Sequence, residues 1–69
     1  MITAMALVVP GSGFAGYNLA YRIISGPYAG IVFNAERGTR TAIGTNVLVR
    51  FCPDDQFARE VSACPASAS

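Results

Sequence analysis

The stretch GSGFAGYNLAYRIISGPYAGIVF, residues 11–33, decides the fold because it reads in two incompatible ways. Its first six residues, Gly11 to Gly16, spell G-x-G-x-x-G, the pattern of a phosphate-cradling turn that opens a helix. Its second half, IISGPYAGIVF, reads as two strands joined by a turn, with Pro27 fixing φ and Gly26 and Gly30 free to take positive φ. Tyr17 to Ile24 arbitrates. As a helix it places Tyr17, Ala20, Tyr21 and Ile24 on one side; as a strand it places Tyr17, Leu19, Tyr21 and Ile23 opposite Asn18, Ala20, Arg22 and Ile24. Eight residues rich in Tyr and Ile, closed by Ser-Gly-Pro, suit a strand better than two turns of helix. The glycine-rich segment before them then becomes a connector between strands.

Working outward, ITAMALVV (residues 2–9) is a strand with apolar residues on both faces, and PGSG (10–13) is a turn. IVFNAE (31–36) alternates, RGTR (37–40) turns the chain, and TAIGTNVLVRF (41–51) supplies a strand with Val47, Val49 and Phe51 on one side. Gly44 marks a bend before it. PDDQFAREVSAC (53–64) is the one helix candidate, at about 54–64. Asp54 or Asp55 would cap it, Asp55 and Arg59 would pair at i, i+4, Phe57, Val61 and Cys64 would form its apolar stripe, and Pro65 would end it. The expectation is a single mostly β domain over 1–64, a small barrel or sandwich of about five short strands with one C-terminal helix, followed by a tail at 65–69.

Composition adds a conflict. A chain of 69 residues has a large surface for its volume, yet 52% of this one is hydrophobic and only 13% charged, against about 25% charged in an ordinary domain. Nine charged side chains cannot cover that surface, so apolar surface should lie against a partner. The interface candidates are Ile2, Met5, Leu7 and Val9 on the first strand and Tyr28 on the GPYAG turn. Five Arg against four acids give +1, too little for the broad basic footprint of a typical nucleic-acid binder. There is no His, which removes the commonest general base and a favoured zinc ligand. Catalysis would fall to Asp54, Asp55, Glu36, Glu60, a Cys or a hydroxyl, so neither an enzyme, a metal nor a cofactor is expected. The apolar start is broken by Pro10, Gly11, Gly13 and Gly16 and has no basic segment before it. Neither a membrane span nor a leader is expected, and the setting expected is intracellular or a virion assembly.

Two resemblances attach to the opening stretch. YRIISGPYAGIVF resembles the KOW motif of ribosomal and transcription-elongation proteins through Ile23, Ile24, Gly26, Pro27, Ala29, Gly30 and Val32. That likeness spans about 13 residues and implies an SH3-like barrel that contacts RNA or protein. GSGFAGYNLAYRI is similar to the start of flavoprotein oxidoreductases, which implies a dinucleotide on Gly11, Gly13 and Gly16. It departs from that pattern at Pro10 and at Asn34, where the ribose-binding acid normally stands, with Glu36 two residues late. It also stops before a doubly wound sheet could be completed.

Arg37, Arg40 and Arg50 can meet around a turn and a strand end, either as phosphate or acidic-partner contacts or as solubilising arginines paired with Glu36 or Asp54. Cys52 and Cys64 enclose 11 residues; a disulfide there would add about 3 kcal/mol on a chain-entropy account, and two reduced thiols would pack as small hydrophobes. Phe14, Tyr17, Tyr21, Tyr28, Phe33, Phe51 and Phe57 can stack on bases or fill the core. The leading expectation is a non-enzymatic interaction protein, a small subunit of a homo-oligomer or larger assembly such as a capsid decoration or cement protein. The alternative is an SH3-like nucleic-acid or ribonucleoprotein-binding module, and the third a dinucleotide-binding fragment.

Overall fold

The computed structural model describes residues 1–13 and 16–61. Within them the period-two pattern is realised as five strands: β1 (Ile2–Pro10), β2 (Leu19–Ile23), β3 (Val32–Ala35), β4 (Asn46–Phe51) and β5 (Phe57–Glu60). They close a barrel in the order β1-β2-β3-β5-β4, antiparallel throughout except for the parallel β3–β5 pair. This is a Greek-key closure rather than a plain meander, because the last strand inserts between β3 and β4.

The two-sided apolarity of β1 now has a cause. Opposite neighbours in an antiparallel pair share a face. Ile2, Ala4, Ala6 and Val8 therefore point inward with their partners Phe51, Val49, Ile23 and Tyr21, and Thr3, Met5, Leu7 and Val9 point outward. The centre is filled by large side chains (Tyr21, Phe51, Ile23, Val8, Val49 and Phe33) interleaved with Ala6, Ala35 and Ala58. Phe33 stacks on Phe51 with centroids 4.6 Å apart. Alternating large and small residues is how so narrow a barrel fills its interior without a void.

Tyr17 to Ile24 is extended where the structure assigns it, with Leu19–Ile23 in β2, so the strand reading of the deciding stretch stands. The connector before it folds onto its own backbone. The Gly11 amide donates to the Asn18 carbonyl at 2.8 Å and the Gly13 amide to the Tyr17 carbonyl at 3.0 Å. Those N–H groups are therefore spent inside the hairpin. A dinucleotide turn needs them directed at a pyrophosphate from a helix start, and here the chain enters a strand. The β2–β3 hairpin forms as the glycines suggest. The Gly30 amide donates to the Ile23 carbonyl at 2.7 Å, and Gly26 and Gly30 both have positive φ. Residues 41–45 form a turn with Gly44 at φ 95, and the strand proper begins at Asn46.

The helix expected over about 54–64 is not formed across its described part. Phe57–Glu60 is β5, with Ala58 buried and Phe57 and Arg59 exposed, and Asp55 closes a turn through its amide to the Cys52 carbonyl at 2.9 Å. A helix of three turns is marginal by itself. As a strand the same residues pair with β3 on one side and β4 on the other, which removes two open sheet edges at once. Positions 62–64, including Cys64, and the tail at 65–69 lie outside the described residues, so the Cys52–Cys64 pairing does too; Cys52 itself is half-buried beyond the end of β4.

Candidate functional site

Two opposed surfaces emerge from this register. The first is the outer wall of β4, β1, β2 and β3. Met5 lies directly opposite Leu48, and Leu7, Arg22 and Val32 form the next row across three strands. The Ile24 amide donates to the Met5 carbonyl at 2.9 Å, which brings Ile24 alongside. Met5, Leu48, Ile24 and Val32 are exposed, Leu7 and Val9 are half-buried, and Arg22 is the single charge in the wall. Among the described residues eight large apolar side chains are exposed, compared with six large ones in the core. A barrel this small has too few inward positions for the apolar residues its sequence carries.

The interface candidates divide accordingly. Met5, Leu7 and Val9 line this wall. Ile2 and Tyr28 do not: both pack against the core, Tyr28 with its ring edge on Phe51 at 5.6 Å between centroids. Tyr28 tips back over the barrel end because the GPYAG turn folds it inward, where burying its ring face gains more than projecting it.

The second surface is a trough over the outside of β5. Its floor is built by strand alternation: Phe57 and Arg59 point out, and Arg59 sits directly opposite Arg50 of β4. The β3–β4 connector brings Glu36, Arg37 and Arg40 to one side, and the end of the β1–β2 connector brings Tyr17. Tyr17 packs on Phe57 with centroids 5.2 Å apart and planes tilted by 56°, and the Arg37 guanidinium lies over the Tyr17 ring at 5.1 Å. Three adjoining hollows of about 270, 650 and 140 Å³ share Arg59 and Glu36, so the trough is continuous.

The carboxylates of the trough are mostly engaged. Arg59 Nη2 donates to Glu36 Oε2 at 2.9 Å, with both side chains at least half exposed. Such a surface pair contributes only about 0–1 kcal/mol. Half-buried Glu60 accepts the Tyr21 hydroxyl at 2.8 Å and the Thr41 hydroxyl at 2.5 Å on the same oxygen. Burial, and then the hydrogen bond and negative charge of Glu60, push the Tyr21 phenol well above its ordinary range. This cluster ties the β3–β4 connector to β5 and fixes the wall of the trough.

Of the arginines singled out from sequence, Arg37 and Arg40 stand along the trough and Arg50 at its β4 side. Tyr17 and Phe57 are among the seven aromatics the sequence offers for stacking, but nothing in the sequence joins them to Arg59 or to the other arginines. A helix over 54–64 would put Phe57 on its apolar stripe and Arg59 beside Asp55; the alternation in F-A-R-E is the signal for the strand that turns both outward. No group of three or more His, Cys, Asp or Glu is placed to hold a metal among the described residues. The trough presents aromatic rings, guanidinium donors and apolar area. Compared with known proteins, the chain matches no family model, no curated protein and no solved structure.

Proposed function

We propose that this chain is a non-enzymatic interaction protein that joins other subunits through the outer wall of β1, β2 and β4, as a homo-oligomer or within a larger assembly; decorating a capsid is one such setting. The observation that carries the reading is the unbroken run of exposed Leu48, Met5 and Ile24 beside Leu7 and Val32. Contiguous exposed apolar area of this kind marks association surfaces. Because the barrel is closed, strand addition at a free edge is not the route; association is face to face. Arg22 sits among apolar neighbours, where a guanidinium pairs with a carboxylate or carbonyl of a partner.

Size-exclusion chromatography with light scattering tests this. The chain should elute at a multiple of its 7.2 kDa mass or in a larger complex. A soluble monomer that stays monomeric at high micromolar concentration would falsify it.

A further inference from the structure

We infer that the trough over β5 binds single-stranded nucleic acid, with a base laid on the Tyr17–Phe57 ring pair and the neighbouring phosphates taken by Arg37, Arg40 and Arg50. The site is separate from the association wall and does not depend on it.

Four of the five arginines are drawn to this side of the barrel from three segments, the β3–β4 connector, β4 and β5; only Arg22 lies on the opposite wall. They are not equally committed. Arg59 is held by Glu36, whereas Arg37, Arg40 and Arg50 have no carboxylate within ion-pair distance among the described residues. Their planar donors are therefore available to phosphate oxygens without breaking an existing pair. Glu36 is neutralised by Arg59 and Glu60 is occupied by two hydroxyl donors, which leaves Asp55 as the one unengaged carboxylate on the trough. Over the trough as a whole four arginines face three carboxylates, Glu36, Glu60 and Asp55, so the attraction for phosphate is local, carried by the three arginines outside an ion pair rather than by a strongly basic face.

The aromatic pair supplies the second element. Tyr17 and Phe57 meet at a tilt rather than stacked in parallel and both line the 650 Å³ hollow; the Arg37 guanidinium covers one face of Tyr17, so an incoming base takes its place on that ring or lies on exposed Phe57. Base–aromatic stacking and guanidinium contacts together are how sequence-tolerant single-strand sites hold their ligand. A base still in a duplex has its faces covered and cannot use this platform. The trough is open to solvent rather than enclosed, which suits an extended strand better than a buried small molecule. With about three phosphates contacted, affinity should be modest and the slope of log K against log salt about −2.

The test is fluorescence anisotropy with the full chain and a labelled oligothymidylate of about twelve nucleotides, between about 20 and 200 mM NaCl. Saturable binding is expected at low salt. Arg37→Ala, Arg40→Ala and Arg50→Ala should each flatten the salt slope by about 0.7. Tyr17→Leu should weaken binding about tenfold and leave the slope unchanged, and Phe57→Leu, read in parallel, covers the case in which Tyr17→Leu does not fold. Arg22→Ala, on the association wall, should leave the oligonucleotide affinity and its salt slope unchanged whatever it does to self-association, and a duplex of the same length should bind more weakly. The proposal is overturned by no binding at the lowest salt, by an equal loss in Arg22→Ala, or by indifference to both aromatic substitutions, which indicates a plain polyanion contact. Tighter capture of polyglutamate than of the oligonucleotide also overturns it, in favour of an acidic protein partner.

Discussion

Gly11 has no room for a side chain. A Cβ built there meets the Tyr17 carbonyl oxygen at 2.6 Å and the Asn18–Leu19 peptide at 2.9 Å, all backbone atoms that cannot rotate away. Gly11→Ala should therefore cost about 1–3 kcal/mol, read from thermal or urea unfolding. At Gly30 the penalty has a different origin: space is open, but φ is +98, so Gly30→Ala should cost about 1–2 kcal/mol through backbone strain alone. If Gly11→Ala melts like the wild type, the folded-back connector is wrong. Tyr21 gives a prediction with a pH signature. Its phenol is harder to ionise folded than unfolded, so above its ordinary value of 10.0 the unfolded chain releases the proton first. The associated stability is complete below about pH 10 and drains away as pH rises beyond it. Tyr21→Phe should cost about 1–2 kcal/mol at neutral pH through the lost hydrogen bond to Glu60. It should also remove much of the alkaline fall in Tm, and an unchanged alkaline fall would remove Tyr21 from its cause.

At the scale of elements, the strands were legible wherever alternation and turn chemistry agreed. Leu19–Ile23 follows from its Tyr and Ile content and its Ser-Gly-Pro stop, and Val47, Val49 and Phe51 from strict alternation before a Cys-Pro turn. Phe57–Glu60 was not, because a four-residue strand carries too little periodicity to outweigh a capped, apolar-striped helix pattern. What decides it is non-local: β3 and β4 each offer an open edge, and only a strand satisfies both. The two readings make opposite predictions for neighbouring residues. In the barrel Ala58 is buried, so Ala58→Glu should cost more than about 3 kcal/mol and lower Tm by roughly 15 °C or more. Half-exposed Phe57 should tolerate Ser at about 1 kcal/mol. A helix burying Phe57 and exposing residue 58 would reverse that order. The trough was legible only in part for the same reason: Arg37, Arg40 and Arg50 stand out as cations near a turn, but their meeting with Arg59 and Phe57 depends on where β5 inserts.

For the whole molecule, the governing fact is a mismatch between a narrow interior and an apolar sequence. Six large side chains and a set of alanines fill the barrel, Ile2, Leu19, Tyr28 and Val47 pack partly against them, and among the described residues eight large apolar side chains are left exposed. Composition alone announced the surplus; the register shows that much of it gathers on one wall, with four arginines on the trough over β5. A substitution that removes the apolar wall without disturbing the sheet isolates its role. Met5→Glu with Leu48→Lys does so, because the two positions face each other across β1 and β4 and opposite charges there support the pairing. The most direct measurement is sedimentation equilibrium on the wild-type chain and on this double variant at matched concentration. The wild type should sediment at an oligomeric mass and the variant at 7.2 kDa, with the same melting behaviour at low concentration. A wild type that sediments at 7.2 kDa, or a variant that associates as tightly as the wild type, contradicts association through this wall.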